Sequence, residues 1–383
     1  MVEPLSKRLQ RPIRNIYYRF NYLMFRLFRL FITRKIDHAK IKRIVVIEQT
    51  MIGDLLVATP SLKALRRIFP KRRIDLMMFD RFRDVMSENP DIDGMIGIER
   101  SPSIFRPSEF NRLLGRIKKG RYDLAVILHH GTFANSLLLL LAGIRYRIGC
   151  TKAGLLPRKG FFLTHKSMPA LRPQHVVEQN LDVISLLDDP KKHLKEIKLE
   201  MHYGPSDTKW ADRFLEKSGL SKKRPIIAIH AGTRHPSHEW FNDRFADVAD
   251  WLVDTYGAQI VFTGDGYDKK NFVDKIRSFM KHDSVYAKTT LKQCVALLSR
   301  CALLLSLDTS MVHIGAASGI PVLGLYGSGR PVSWSPWGKK NRVIFNEGAE
   351  CTSCRKTHCT RDDFICMDSI SVEQVKKALS EML

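Results

Sequence analysis

Short runs of β-branched and aliphatic residues recur along the chain, each followed by a longer stretch whose apolar positions repeat at helical spacing. The first series is Arg43–Glu48, Ile74–Phe79, Met95–Ile98, Leu124–Leu128 and Tyr146–Ile148. The second is Ile226–His230, Gln259–Thr263, Ser284–Ala287, Leu303–Leu307 and Val322–Tyr326. Apolar runs bounded by turn residues mark strands buried on both faces, and their alternation with helices predicts parallel, doubly wound sheets. Leu55, Ala58, Leu62, Leu65 and Phe69 fall on one side of the first such helix, with Pro60 expected to kink it. Ser136–Gly143 is uniformly apolar and reads as buried. Asn242–Tyr256 is amphipathic through Phe245, Val248, Trp251 and Leu252, and Val372–Met382 supplies a last helix. The polar stretch 188–208 reads as the passage between two Rossmann-like α/β halves, at 41–200 and 201–348. A segment at 1–40 precedes them and one at 349–383 follows.

The most informative unit is Leu303–Gly329. A buried strand is followed by Asp308, Thr309 and Ser310, which offer N-cap chemistry. A helix carrying His313 comes next, closed by Gly319, and then a second strand ending in Gly327-Ser328-Gly329. Backbone N–H groups at a helix start and in a glycine-rich loop would face the carboxyl edge of the sheet, where anions such as a diphosphate bind. A cap beside a buried histidine explains the same residues without a ligand.

Charge changes the picture more than composition does. With 383 residues and 44% hydrophobic content, the chain can bury two proper cores. Its net charge of +24 points to a polyanionic partner: nucleic acid, an anionic membrane face or a phosphorylated substrate. Residues 1–43 hold twelve Lys/Arg against Glu3 and Asp37, a net of +10. A helix there would gather Ile16, Phe20, Leu23, Leu27 and Leu30 on one side and Arg19, Arg26 and Arg29 on another, which suits the surface of an anionic membrane. No run approaches the ~18 to 20 apolar residues that span a bilayer, and basic residues interrupt every early apolar stretch. The expected location is therefore cytoplasmic, peripheral on the inner face of the membrane.

Four places can carry chemistry. Gly53-Asp54 stands where a strand gives way to a helix, so Asp54 is either a helix cap or a carboxylate that takes a proton from a hydroxyl. His230–Trp240 follows a strand end and sets Thr233, Arg234 and His238 where an oxyanion could sit. Thr263–Asp268 holds Gly264 and Asp265, but Lys269 stands in place of the third glycine, so it fails as a dinucleotide fingerprint and remains a turn with acids available to a ribose. Cys351, Cys354, Cys359 and Cys366 have a spacing that a structural zinc, free thiols or two disulfides would each fit.

Taken together, IEQTMIGDLLVATPSLKAL (47–65), IAIHAGTRHPSHEW (227–240), VFTGDGYD (261–268) and the D-T-S-x-x-H-x-x-A-A signature from Asp308 to Ala317 resemble glycosyltransferase family nine, the lipopolysaccharide heptosyltransferases. The resemblance covers roughly residues 41–383. It implies a GT-B fold, with an acceptor half, a donor half and an inverting sugar transfer that requires no cofactor. It further implies an ADP-heptose donor, a lipid-linked core oligosaccharide acceptor and no nucleic acid partner. Asp54 matches the family's general base. Thr233 and Arg234 match a phosphate loop, Asp308, Thr309, Ser310 and His313 the donor signature, and Ser328 a second phosphate loop. His238 stands where the family usually has Lys, and Phe241 where it has Pro, which bears on the donor. The alternatives are another nucleotide sugar, a nucleotide-sugar epimerase or a nucleic-acid-binding protein.

Overall fold

The computed structural model describes residues 35–128, 131–150, 162–167, 173–221, 223–347, 359 and 364–383. The basic segment expected to meet a membrane lies almost wholly outside these residues. So do Cys351 and Cys354.

Twelve strands form two sheets among the described residues. The first comprises β1 (Arg43–Ile47), β2 (Arg73–Phe79), β3 (Gly94–Ile98), β4 (Leu124–Ile127), β5 (Tyr146–Cys150) and β6 (His165–Ser167), in the order β3-β2-β1-β4-β5-β6. The second comprises β7 (Ile226–His230), β8 (Gln259–Gly264), β9 (Val285–Lys288), β10 (Leu303–Leu307), β11 (Val322–Leu325) and β12 (Arg342–Ile344), in the order β12-β11-β10-β7-β8-β9. Every pairing is parallel. Both sheets thus follow one winding, with the order reversing between β1 and β4 in one and between β7 and β10 in the other. Ligands of open α/β sheets bind in the crevice outside the carboxyl ends at such a reversal.

The longer helices are α1 (Ile52–Ile68), α2 (Pro107–Gly120), α3 (Phe133–Leu141), α4 (Val176–Ile184), α5 (Pro205–Lys217), α6 (Asn242–Tyr256), α7 (Leu291–Leu298), α8 (Ser310–Ser318) and α9 (Val372–Ser380). α1 runs as one helix through Pro60, which the sequence suggested would kink it. Proline removes the N–H that would bond the Leu56 carbonyl. The Thr59 hydroxyl donates to that carbonyl at 2.7 Å instead, so the helix loses no buried hydrogen bond. The same Thr59 oxygen accepts the backbone N–H of Glu200 from the connection between the halves. α5 begins inside the stretch read as a polar passage, with Pro205 in its first turn. α3 departs from its reading as wholly buried, because Leu140 and Leu141 at its end are 38% and 47% exposed.

The two sheets do not have separate cores on every face. α1 packs on α4 and on α8, and α5 packs on α7, so the helices between the sheets are shared. One apolar cluster runs from Leu55, Leu62 and Leu65 through Val176 and Leu215 to Leu304, Val312 and Ile314. α2 and α3 cover the opposite face of the first sheet over Phe110, Leu113 and Leu138. α6 and α9 cover the far face of the second over Phe245, Leu252 and Val375. No helix among the described residues is long and apolar enough to cross a membrane.

Candidate active site

At the reversal of the first sheet, β1 runs into Glu48 and Gln49. The Glu48 carboxylate is fully buried and accepts the Thr50 hydroxyl at 2.5 Å. The Gln49 side-chain carbonyl accepts from the Asn135 amide at 3.2 Å, fixing the start of α3 against the end of β1. α1 begins two residues after Thr50 and puts Asp54 in its first turn, 8% exposed. Asp54 Oδ2 accepts the Met51 N–H at 3.2 Å, so the capping role anticipated for this carboxylate is real. A carboxylate has about four lone-pair sites, and one cap bond does not exclude proton transfer at another.

The second sheet's reversal is built from three loops. After β7, the buried Thr233 hydroxyl accepts the His235 N–H at 3.1 Å, which turns the chain back over the strand ends. Arg234 leaves the loop toward solvent, pairs with Asp265 at 2.6 Å and lies 3.9 Å over the Tyr267 ring. Two candidates from separate loops, Arg234 and Asp265, are thereby joined. Gly264 ends β8, and the Asp268 carboxylate packs against the backbones of Gly264 and Gly232 while accepting the Asp265 N–H at 3.0 Å. Asp268 is one of the two acids the sequence offered to a ribose, but its packing against Gly232, far off in the chain, had no local signal.

His238 ties the first of these loops to the third. Its Nδ1 donates to the Asp308 main-chain carbonyl at 3.2 Å and lies 3.9 Å from the Asp308 carboxylate. Burial pulls the His238 imidazole below its ordinary range and pushes the Asp308 carboxyl up to about 7. Thr309 caps α8 by accepting the Met311 N–H at 3.2 Å, and Ser310 is the first helical residue. Gly319 ends α8 at φ 85°, a left-handed conformation that costs glycine little. Ser328, fully buried in the loop after β11, donates to the Ser237 hydroxyl at 3.3 Å.

His313 turns away from these loops toward the first half. Its ring lies against the start of α1, where a Cβ on Gly53 would come within 2.8 Å of Cδ2. Glycine is needed there for close approach, not for its φ. The ring meets Trp334 edge-on at 6.1 Å, and its buried Nδ1 has no hydrogen-bond partner among the described residues. Burial and the neighbouring His175 drive the imidazole down to about 4, against the opposing pull of Asp54. It is neutral at physiological pH. His175 itself crosses the gap, donating from Nε2 to the Ser335 carbonyl at 2.9 Å, and the Trp337 indole donates to Ile197 at 2.7 Å. His175 and Trp334 were not singled out from the sequence, and Gly53 was noted only as the neighbour of Asp54. Their importance comes from apposition of the halves, which no local pattern encodes.

The structure therefore brings Asp54 of one half beside His313 of the other, and gathers Thr233, His238, Asp308, Thr309, Ser310 and Ser328 at one reversal. Of the four late cysteines, Cys351 and Cys354 lie outside the described residues. Cys366 is buried against the backbone of Gly327, and no group of three or more potential metal ligands occurs among the described residues.

Comparison with known proteins bears on what this arrangement is. The profile described as glycosyltransferase family 9 (heptosyltransferase) matches residues 110–365. Lipopolysaccharide heptosyltransferase 3 of Escherichia coli is 28% identical over 308 residues, spanning 77% of this chain and 86% of that protein. A glycosyl transferase family 9 structure from Veillonella parvula superposes with a TM-score of 0.76 at 25% identity, covering 89% of this chain and 97% of its own. ADP-heptose LPS heptosyltransferase II of E. coli superposes at 0.67 and 21% identity, covering 89% and 98%.

Proposed function

The chain belongs to glycosyltransferase family 9, the heptosyltransferases, and from that premise we propose that it moves a heptose from an ADP-activated donor to a lipopolysaccharide core or related lipid A-type acceptor. Its two sheets have the GT-B arrangement, and it is a glycosyltransferase. The half carrying β1–β6 receives the acceptor and the half carrying β7–β12 holds the nucleotide sugar. The basic segment before residue 41 holds the enzyme at the cytoplasmic membrane surface, where a phosphorylated glycolipid is embedded.

The reaction is a single displacement with inversion. Asp54 takes the proton of the acceptor hydroxyl as its oxygen attacks the anomeric carbon from the side opposite the diphosphate. Negative charge then grows on the departing ADP. The N–H groups at the start of α8, the Thr233 and Ser328 hydroxyls and the Arg234 guanidinium meet it in this scheme, a role supported by their position at the second sheet's reversal. His238 bridges the two phosphate-facing loops, and the acids at 265 and 268 border the ribose side. Every charge in this scheme is met by the chain's own groups, and no step requires a metal.

The observation that carries the reading is the contact of His313 with Gly53, which sets the first turn of α1, and with it Asp54, beside the donor signature. The test is turnover of ADP-heptose on a truncated core acceptor by the native enzyme and by Asp54→Asn. Full activity in the variant removes Asp54 as base. A parallel panel of other nucleotide sugars, read by product mass, would identify a different donor.

A further inference from the structure

The outer layer of the first sheet has a composition that neither its fold nor the transfer reaction uses. The loop 99–106 leaves the carboxyl end of β3 with Ile104 46% and Phe105 89% exposed. α2 follows directly. Its inner face is buried through Phe110, Leu113 and Ile117. Its outer face sets Arg112, Arg116 and Lys119 in one exposed stripe at i, i+4 and i+7, with Lys118 and Arg121 beside them. Residues 99–121 carry seven Lys/Arg against Glu99 and Glu109, a net of +5. Arg106 is tied to Glu109 at 3.3 Å, and Arg116 reaches the Gly97 carbonyl at 2.9 Å. Arg112, Lys118, Lys119 and Arg121 make no ion pair with a carboxylate among the described residues.

A folded chain gains nothing from exposing a Phe–Ile pair beside five clustered cations. Charge alone would suit any polyanion. An apolar tip leading into a basic helix face is what an interfacial lipid contact requires, with the tip in the acyl boundary and the cations at the headgroups. The α3 helix packs beside α2 and adds Leu140 and Leu141 to the same layer. This layer lies on the side of the first sheet away from the second half, so a surface covering it leaves the cleft open.

We propose that this face, led by Ile104 and Phe105 and spread along α2, docks the enzyme on an anionic phospholipid bilayer, separately from the segment before residue 41. The proposal extends the reading of a lipid-linked acceptor. Vesicle binding needs neither donor nor acceptor, so its failure leaves the transferase reading intact, and loss of transfer leaves this one intact.

The test uses the full chain with phosphatidylcholine vesicles, with and without phosphatidylglycerol. The Ile104→Ser/Phe105→Ser variant should bind the anionic vesicles at least about tenfold more weakly, since two exposed apolar side chains lose their burial. Arg112→Glu/Lys119→Glu should lose a similar factor or more and flatten the salt dependence. Both should transfer sugar to a soluble truncated acceptor at the native rate. In Phe105→Trp, anionic vesicles should add a blue-shifted emission that brominated lipid quenches beyond the parent protein. Unchanged vesicle affinity in both double variants overturns the proposal. So does a Trp at 105 already shielded from acrylamide without vesicles, the sign that the chain's own N-terminal segment or a second copy covers the face. Salt-sensitive RNA binding lost in the charge variant, with no lipid effect in any variant, overturns it in favour of nucleic acid.

Discussion

The two halves wind six strands in the same order, yet they furnish the same crevice in opposite ways. In the first, Glu48, Gln49 and Asn135 lock the strand ends together and a single carboxylate, Asp54, stands at the head of α1. In the second, hydroxyls, a capped helix start and small-residue loops form a cradle with Asp308 and His238 at its floor. In the proposed mechanism one scaffold thus supplies a proton acceptor on one side and an oxyanion site on the other. Lesions of the first crevice should slow the chemical step, and lesions of the second should weaken the donor.

The largest effect is expected from Asp54→Asn. Turnover should fall on the order of 10²–10⁴, while ADP affinity measured by calorimetry stays native. A fall in ADP affinity instead would erase the distinction between the crevices. Asp308→Asn comes next and reads out in stability. Burial raises the Asp308 carboxyl from 3.8 to about 7, so folding takes up a proton there between those values, and this contribution is lost as pH rises through 7. His313 has the opposite sign. Its folded value of about 4 lies below the ordinary 6.5, so it contributes stability that is present above 6.5 and lost as pH falls toward 4. In the native protein the two slopes nearly cancel between pH 4 and 6.5. Asp308→Asn leaves the His313 slope alone, and denaturant titrations of the variant should show stability rising across that range by up to roughly 3 kcal/mol relative to the native trend. A flat difference would place the burial of the Asp308 carboxyl in doubt.

Gly53→Ala sharpens the comparison at the point where the crevices meet. The added methyl must move His313 or the start of α1, costing about 1–3 kcal/mol of stability. Turnover should fall by about tenfold with donor affinity little changed. The smallest effect belongs to Arg234→Gln. Its pair with Asp265 is solvent-exposed, so thermal stability should move by less than about 0.5 kcal/mol. If Arg234 meets the diphosphate as proposed, ADP affinity should drop about tenfold with the loss of that charged hydrogen bond.

Strands with complete apolar runs were legible to the residue: Ile226–His230 and Leu303–Leu307 stand as read, as does the helix Asn242–Tyr256. The three-residue edge strands β6 and β12 were not. Their sequences, His-Lys-Ser and Arg-Val-Ile, pair on one side only and need no apolar run. α3 misled in the other direction, since an unbroken run of leucines states helix but gives no face, and its last turn points outward. Within the site, Asp54 and Asp308–Ser310 stood out as strand-to-helix junctions, which a helix cap explains equally well, and only the resemblance of their motifs to a family separated the two readings. The approach of His313 to Gly53 joins positions in different sheets, and the glycine's role shows only once the second half is in place.

The apolar cluster that crosses from Leu55 to Leu304 has a consequence for modular exchange. The two halves look like interchangeable cassettes, but a cut at the connection would bare the inner flanks of α1, α4, α7 and α8 to water. Either piece expressed alone should therefore aggregate. A chimaera that borrows another transferase's nucleotide half should work only if its maker transplants the facing helices as a matched set.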